Sequence, residues 1–375
     1  MTMTSLAADA VGGYRLDLAR GVTEVDRDEW NAVVLGAGGS VFHAWEWLAA
    51  FEEAPPGDFE AAHLLAYAGG QLVGICPAYL ARSCPRLDYL WSLAGISPGG
   101  PILLAHSLAA FAGGPLALAD HQDVVGLLVN RMQTSADQLG AWAWGFANLP
   151  AGPLTGRLLS TGHAVAQVTT AHRLETAYAT EQEYWATIPS KRRRKLQRER
   201  RVRLEHATVD DGVPDIDVLV RLVHALLDDR NTPIDVLPES FLASLRRHLA
   251  PYERSVVATD NSGDTVAMFA GWQFGPEWSV WIAGLDTAKL NSFDPYHPML
   301  AHTIESAVRT GTAVVNFGRA NALQKRRYGA EGVPLFLTLH SPDRQRNAIL
   351  HAACRKIEES VREVRDGLDV VRRCC

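Results

Sequence analysis

Thirteen residues, KRRRKLQRERRVR from Lys191 to Arg203, carry nine cations. Wrapped on a helix they cover most of its circumference, so the helix cannot be simply half buried. Such a surface suits a polyanion: phosphates of RNA, of a nucleotide-linked substrate or of a CoA-type donor. Lys191, Arg192, Arg193, Arg194, Lys195 and Arg198 are the candidate phosphate contacts. No aromatic residues are interleaved for base stacking, so the run implies no sequence-specific recognition. The same run also fits a solvated helix balanced by the acidic segment Glu205 to Asp217.

A second cluster is NFGRANALQKRRYGAEGVP, Asn316 to Pro334. A strand ends at Gly318, and a short polar stretch then brings Arg319, Lys325, Arg326, Arg327 and Tyr328 near a glycine that permits a tight turn. Cations at a strand's exit can hold an anion or a developing oxyanion. Lysine is scarce, five of the 36 basic residues, which singles out Lys325. Lys325 is the candidate catalytic cation. Tyr328 is a hydroxyl that can orient a carbonyl or leaving group.

Upstream, Ala283 to Glu305 reads as a strand, a loop and a helix starting near Pro298. Helix N-termini attract phosphate through free backbone N–H groups. Tyr296 and His297 sit at that entrance, and His297 can act as a general base or simply cap the helix. His224 and His302 lie on helices and read as structural. In FHAWEWLAAFE, Phe42 to Glu52, the residues Phe42, Trp45 and Leu48 share one helix face and read as core. His43, Glu46 and Trp47 can border a substrate groove.

Absences narrow the chemistry. There is no GxxxxGK[ST] loop, no GxGxxG after a strand, no HExxH, no paired CxxC and no GxSxG. Nucleotide hydrolysis, dinucleotide redox chemistry, zinc proteolysis and α/β-hydrolase chemistry lose support. Five cysteines in no CxxC spacing imply a reducing compartment, no disulfide framework and no structural metal. A net charge of −6 argues against a globally basic nucleic-acid binder.

The elements that must position these residues come as a duplication. AAHLLAYAGGQLVGICPAYL (Ala61–Leu80) and RSVVATDNSGDTVAMFAGWQF (Arg254–Phe274) both read as hairpins, with Gly70 matching Gly263. Downstream, one helix-plus-strand segment ends at Asn148 and its counterpart at Asn321. There Gly140 matches Gly311 and Phe146 matches Phe317. The offset falls from 193 (263 − 70) to 171 (311 − 140), so the first half carries an insertion of 22 residues (193 − 171), placed in the Gly/Pro-rich stretch after Tyr89. That stretch, Tyr89 to Ala119, lacks charge, but its prolines and glycines break any membrane helix, and it reads as buried loop and short strands. Each half is strand, turn, strand, another strand, helix, strand. Between them, Thr180 with Glu183 forms a capping box, and further helices cover 190–204, 215–229 and 238–249. A long helix over 343–372 closes the chain, with Ile349, Ala353, Ile357, Val361, Val364, Leu368 and Val371 on one face. Cys374 and Cys375 read as a tail. The first residues, MTMTSLAADAVGGY, lack the basic and apolar regions of a signal peptide.

The NFGR…QKRRYG segment after a helix resembles the FemAB/CelD-like branch of the GNAT acyltransferase superfamily. Similar members carry Asp–Phe–Gly–Arg, then Tyr–Lys–Arg–Arg–Trp/Phe–Gly. YWATIPSKRRRKLQRERR looks like that branch's helical segment between its halves, and FHAWEWLAAFE like its first helix. The resemblance spans Val41 to Leu339, and Lys325–x–x–Tyr328–Gly329 is its most specific part. Asn316 stands where an Asp is usual, and Gln324 where an aromatic residue precedes the lysine. The R/Q-x-x-G-x-G/A pyrophosphate signature is missing from both halves.

The resemblance implies an α/β (α+β) chain of two tandem GNAT-like domains with mixed central sheets and a long C-terminal helix. The expected boundaries are 14–175 for the first domain, 176–252 for a helical connector, 253–342 for the second domain and 343–375 for the closing helix. It also implies a cytoplasmic acyltransferase without metal, bound cofactor or membrane partner. Its donor would be aminoacyl-tRNA or acyl-CoA, and its acceptor a primary amine of a small molecule or peptide. Arg319, Arg326, Arg327, Tyr296, His43 and Trp47 would then line the substrate side. A non-catalytic GNAT-like protein that binds RNA or an anionic polymer is the rival of another class.

Overall fold

Alternating apolar runs punctuated by glycine fold as hairpins, and the computed structural model describes them within residues 9–106, 109–232, 234–289 and 294–371. The chain divides into two compact units, residues 1–169 with 334–375 and residues 170–333. The helical stretch 176–252 therefore belongs to the second unit, and 334–342 and the closing helix to the first.

The first unit holds β1 (Asp9–Val11), β2 (Tyr14–Ala19), α1 (Arg27–Gly36), α2 (Trp45–Glu53), β3 (Asp58–Ala61), β4 (His63–Ala68), β5 (Gln71–Cys76), β6 (Ala78–Ser83), α3 (Pro85–Ala94), β7 (Ile102–Ala105), β8 (Leu116–Ala117), α4 (Val124–Gln138), β9 (Ala143–Pro150), α5 (Pro153–Ser160) and the start of β10 (Ala164–Glu175). The second holds α6 (Glu181–Thr187), α7 (Ser190–Arg203), β11 (Ala207–Asp211), α8 (Ile216–Asp229), α9 (Glu239–Leu249), β12 (Val256–Asp260), β13 (Thr265–Phe274), β14 (Glu277–Leu285), α10 (Tyr296–Arg309), β15 (Val314–Asn316) and α11 (Ala322–Arg327). Strand β16 (Glu331–His340) leads back to the first unit, where α12 (Arg344–Val371) ends the fold.

The duplication is written in the turns. Ala68 pairs with Gln71, leaving Gly69 and Gly70 as a two-residue hairpin loop, both at positive φ (57° and 91°). Only glycine adopts that pair of conformations freely. Gly263 holds φ 89° in the loop between β12 and β13, where the Asp260 carboxylate also accepts the N–H groups of Ser262 and Asp264. Helices α4 and α10 end alike. Gly140 and Gly311 are left-handed, and the next residues, Ala141 and Thr312, bond back to Ala136 and Ala307. That is a Schellman ending in both halves.

Each helix connects a parallel strand pair, which needs such a crossover. In the first unit β7 pairs with β9 from Ile102↔Ala143 to Ala105↔Phe146. In the second, β14 pairs with β15 from Glu277↔Val314 to Ser279↔Asn316. Between hairpin and parallel pair the first unit inserts β6 and α3, whereas β13 turns directly into β14.

The second unit's core includes Tyr184, Trp278, Leu300, Ile304, Val315 and Tyr328. In the first, α12 packs Leu350, Ala353, Cys354 and Ile357 with Leu87, Leu90 and Trp91 of α3. Ile349, expected on that face, is 38% exposed, because Leu350 takes the inner position. The side chains of Val364, Leu368 and Val371, and both Cys374 and Cys375, lie outside the described residues. No helix among the described residues is long and apolar enough to cross a membrane.

Candidate functional site

Strand β14 is paired with β15 for only three residues, then runs on to Leu285 while β15 stops at Asn316. A bulge sharpens the divergence. Pairing of β13 with β14 steps from Ala270↔Ile282 to Gly271↔Val280, so Trp281 is an extra residue that bends the strand. Beyond Ser279, no strand among the described residues pairs with β14 on the β15 side. The parallel pair therefore opens as a wedge.

The loop leaving β15 is held at the mouth of that wedge. Phe317 N–H donates to the His172 carbonyl (2.8 Å), and His172 N–H donates to the Gly318 carbonyl (3.0 Å). Gly318, Ala320 and Asn321 are all left-handed (φ 63°, 60° and 49°). Two of these are not glycine, which is a costly conformation that persists where neighbours enforce it. Lys325 fastens the backbone just before them. Its ammonium donates to the carbonyls of Phe317 (2.6 Å), Gly318 (3.2 Å) and Arg319 (2.6 Å). All three ammonium donors are thereby engaged by backbone. Lys325 is 3% exposed, and burial, with a smaller repulsion from Arg230, lowers its pKa to about 7. The geometry makes it the fastener of this loop and, in its ammonium form, a buried positive charge beside the wedge.

Tyr328 and His297 lie beside it as anchors. The Tyr328 hydroxyl donates to the His297 carbonyl (3.1 Å), and the Tyr328 carbonyl accepts the Tyr184 hydroxyl (2.9 Å). Burial raises the phenol's pKa above its ordinary value. His297 is 3% exposed, and its pKa falls to about 4, chiefly through burial. Arg327 Nη1 lies 3.4 Å from His297 Nε2. Arginine can only donate, so Nε2 is the accepting nitrogen and the proton is assigned to Nδ1. Arg327 also bonds Gln324 Oε1 (3.0 Å) and Glu199 Oε2 (2.6 Å). Burial raises the Glu199 pKa, but the bonds and charge of Arg327 outweigh it and hold the carboxyl below its usual range.

Glu199 belongs to the basic helix, which has two distinct faces. Arg193, Leu196, Arg200 and Arg203 fall on one face at helical spacing. Arg193 donates to the Trp185 carbonyl (2.9 Å), Leu196 is fully buried, Arg200 meets Glu305 (2.6 Å) and Arg203 meets Asp294 (3.7 Å). Glu305 also accepts the Trp185 indole N–H (3.0 Å). The other face exposes Lys191, Arg192, Arg194, Lys195, Arg198 and Arg201. Of the six candidate phosphate contacts, five are thus exposed, and Arg193 is turned inward.

Arg326 is exposed beside Lys325, and Arg319 and Tyr296 are half-buried. The Tyr296 ring stands edge-on to Phe269 (5.2 Å). His43 and Trp47 are elsewhere, in the core of the first unit. Trp47 is fully buried edge-on to Phe42 (4.9 Å), and His43 is 3% exposed beside Ser40. Burial, then repulsion by His106, lowers the His43 pKa to about 3. Glu46 is buried against Arg27 and Asn31. His302 meets Asp211 (3.3 Å) and His224 the Leu237 carbonyl (3.0 Å). No cluster of three or more His, Cys, Asp or Glu among the described residues is arranged to hold a metal ion.

Two features have no signal in the sequence. His172, on β10, is 1% exposed, and neither ring nitrogen has a hydrogen-bond partner. In the first unit, the backbone of 110–113 lies against the residues that follow the β7/β9 pairing. Asn148 donates to the Ala110 carbonyl (2.9 Å), and a Cβ on Gly113 would stand 2.1 Å from the Ala147 oxygen. Ala109, Ala110 and Phe111 are buried there. Neither feature has a local motif.

Residues 190–328 match the acetyltransferase (GNAT) domain family. No curated protein matches the chain in sequence. Among solved structures, FemX superposes with a TM-score of 0.61 at 10% identity, covering 84% of this chain and 96% of FemX. The C-terminal domain of a putative lysylphosphatidylglycerol synthetase from Agrobacterium fabrum gives 0.54 at 13% identity, covering 88% and 96%. A tandem GNAT protein from the clavulanic acid biosynthesis pathway gives 0.51 at 10% identity, covering 87% and 98%. At these identities the likeness is one of fold.

Proposed function

We propose that this FemAB-like GNAT protein is an N-acyltransferase that moves an aminoacyl group from aminoacyl-tRNA onto a primary amine of a small molecule or peptide. The observation that carries this reading is the two-faced helix α7. Its inner face is fastened to α10 and α11, the elements around the β14/β15 wedge, by Arg200–Glu305 and Glu199–Arg327. Its outer face presents cations suited to a nucleic-acid backbone. A donor whose acyl group sits at the end of a long polyanion needs both, at a fixed separation. The lysyl in the name of the Agrobacterium fabrum protein is an aminoacyl group.

The reaction is attack of a neutral amine on an ester carbonyl. It requires approximation, loss of an amine proton and stabilisation of a tetrahedral oxyanion. The Lys325 charge, shielded from water, favours negative charge developing in the wedge and keeps the 317–321 loop in one conformation. Tyr328, His297 and Arg327 keep α11 against α10 and α7.

The test offers purified protein mixed charged tRNA and, separately, a panel of acyl-CoAs with primary-amine acceptors. RNase-sensitive amide formation is expected. Turnover with a CoA thioester that survives RNase would replace the donor. Salt-sensitive RNA binding without turnover on any donor would leave a non-catalytic binding protein.

A further inference from the structure

His172 is a buried polar group that the roles described so far do not use. Its backbone is fixed: the N–H donates to the Gly318 carbonyl, which also accepts from Lys325 Nζ (3.2 Å). Its imidazole is therefore one shared carbonyl from the Lys325 fastener. Buried imidazole nitrogens are normally paired, and two orphans on one ring call for an explanation. The ring is also close to the surface in one direction. Gly332 is exposed, and a Cβ built there would stand 3.9 Å from His172 Nε2, 3.6 Å from Arg326 Nη2 and 3.0 Å from Thr170 Cγ2. With no side chain on Gly332, the unpaired and buried imidazole nitrogen lies close beneath exposed backbone, flanked by the exposed Arg326 guanidinium.

We propose that a polar group of the acceptor enters beside Gly332 and that His172 Nε2 takes the proton from its attacking amine. This rests on the acyl-transfer reading. The amine nitrogen forms the C–N bond, and the carbonyl π electrons move to oxygen. The proton on the now cationic nitrogen passes to Nε2. As the oxyanion collapses, the ester C–O bond breaks, and the imidazolium returns the proton to the leaving ribose oxygen. No net proton, electron or co-reactant is required. The charges facing the ring are Lys325 and Arg326, both on α11. Burial first, then Lys325 and more weakly Arg326, lower its pKa to about 4 and keep it a free base at neutral pH. The Gly318 backbone pulls the other way but makes no hydrogen bond of full geometry with the ring.

The experiment compares wild type, His172→Gln, His172→Ala and the double variant His172→Ala/Gly332→Val. Each is assayed for amide formation, donor binding and melting temperature. His172→Gln should lose roughly 100- to 10,000-fold in kcat/KM, the usual range for a general base, with donor affinity unchanged. Added imidazole should restore part of the His172→Ala rate, and Gly332→Val should block that rescue by covering the approach to the vacated ring position. Wild-type turnover by His172→Gln would overturn the proposal. So would an inactive His172→Ala that imidazole does not rescue, which would make the ring structural. A wild-type protein inactive with every donor would instead bring down the acyl-transfer reading, and this inference with it.

Discussion

Both units build the same parallel strand pair on the same helix ending, and they treat the space beyond it in opposite ways. In the first unit the chain's own residues 110–113 lie against Ala147 and Asn148, and Phe111 packs against Phe42 (5.3 Å). In the second, the space beyond Ser279 and Asn316 is bordered by a strained loop and the buried Lys325 ammonium. Strand, crossover helix and Schellman turn are thus scaffold common to both halves. Chemistry belongs to whatever the chain places at the wedge. One copy has been converted to core, where a close-packed backbone contact stabilises. The other keeps a loop with left-handed Ala320 and Asn321 at its wedge, fastened through the buried Lys325 ammonium.

The largest effect should come from Lys325→Ala. It removes both the charge at the open wedge and the fastener of the 317–321 loop, and we expect kcat/KM to fall roughly 100- to 1,000-fold, the scale of a lost electrostatic contribution to an oxyanion. It also takes a donor from three carbonyls, of which Gly318 keeps the His172 N–H, so the melting temperature should drop, since a buried unsatisfied group costs roughly 1–3 kcal/mol. Activity per folded molecule separates the two. Lys325→Arg should recover only part, because a planar fork does not meet three converging carbonyls as an ammonium does. Full activity in Lys325→Ala would erase the distinction between the two wedges.

Phe111→Ala tests the closed wedge. A large buried aromatic truncated to Ala typically costs about 3–5 kcal/mol. Denaturant unfolding should show that loss while turnover per folded molecule stays at the wild-type level. A matching fall in kcat without destabilisation would mean the first unit takes part in catalysis.

Acid should weaken the first unit through His43 and His106, held neutral with folded pKa values of about 3 and 4. Free histidine titrates near roughly 6.5. The unfolded chain therefore binds more protons in this window, and stability rises with pH. Stability should fall as pH drops from about 6.5 toward 4. His43→Gln should flatten that slope in melting curves, and an unchanged slope would assign the acid loss elsewhere.

Changing Arg192, Arg194, Arg198 and Arg201 to Gln should weaken donor binding. Its log–log salt slope should drop by roughly 0.7–0.9 for each phosphate that is no longer neutralised. Stability should move by no more than about 0.5 kcal/mol, since these side chains are exposed. Arg193 is left in place because it bonds the Trp185 carbonyl. The smallest effect is Glu199→Gln, which keeps a hydrogen-bond acceptor for Arg327 but removes the charge from a pair about one-fifth exposed on each side. If α7 must be fastened to serve the site, that small change should still loosen donor binding in a titration.

What could be read from residue order is what local physics governs. Gly70 and Gly263 mark turns because only glycine takes positive φ without strain, and Gly140 and Gly311 end helices for the same reason. Thr180 accepts the Glu183 N–H three residues on. The basic run is helical, and the GNAT resemblance rests on a contiguous motif. The sequence by itself therefore determined the elements, the duplication and the region of interest. Only the tertiary structure decided which parallel pair stays open, that Arg193 turns inward, that Lys325 binds three carbonyls, and that His172 is left unpaired beneath Gly332. Burial and hydrogen-bond partnership depend on residues far apart in the chain, and no spacing rule reaches across that distance. The same histidine or lysine in a sequence can be solvated, structural or reactive until packing removes its water.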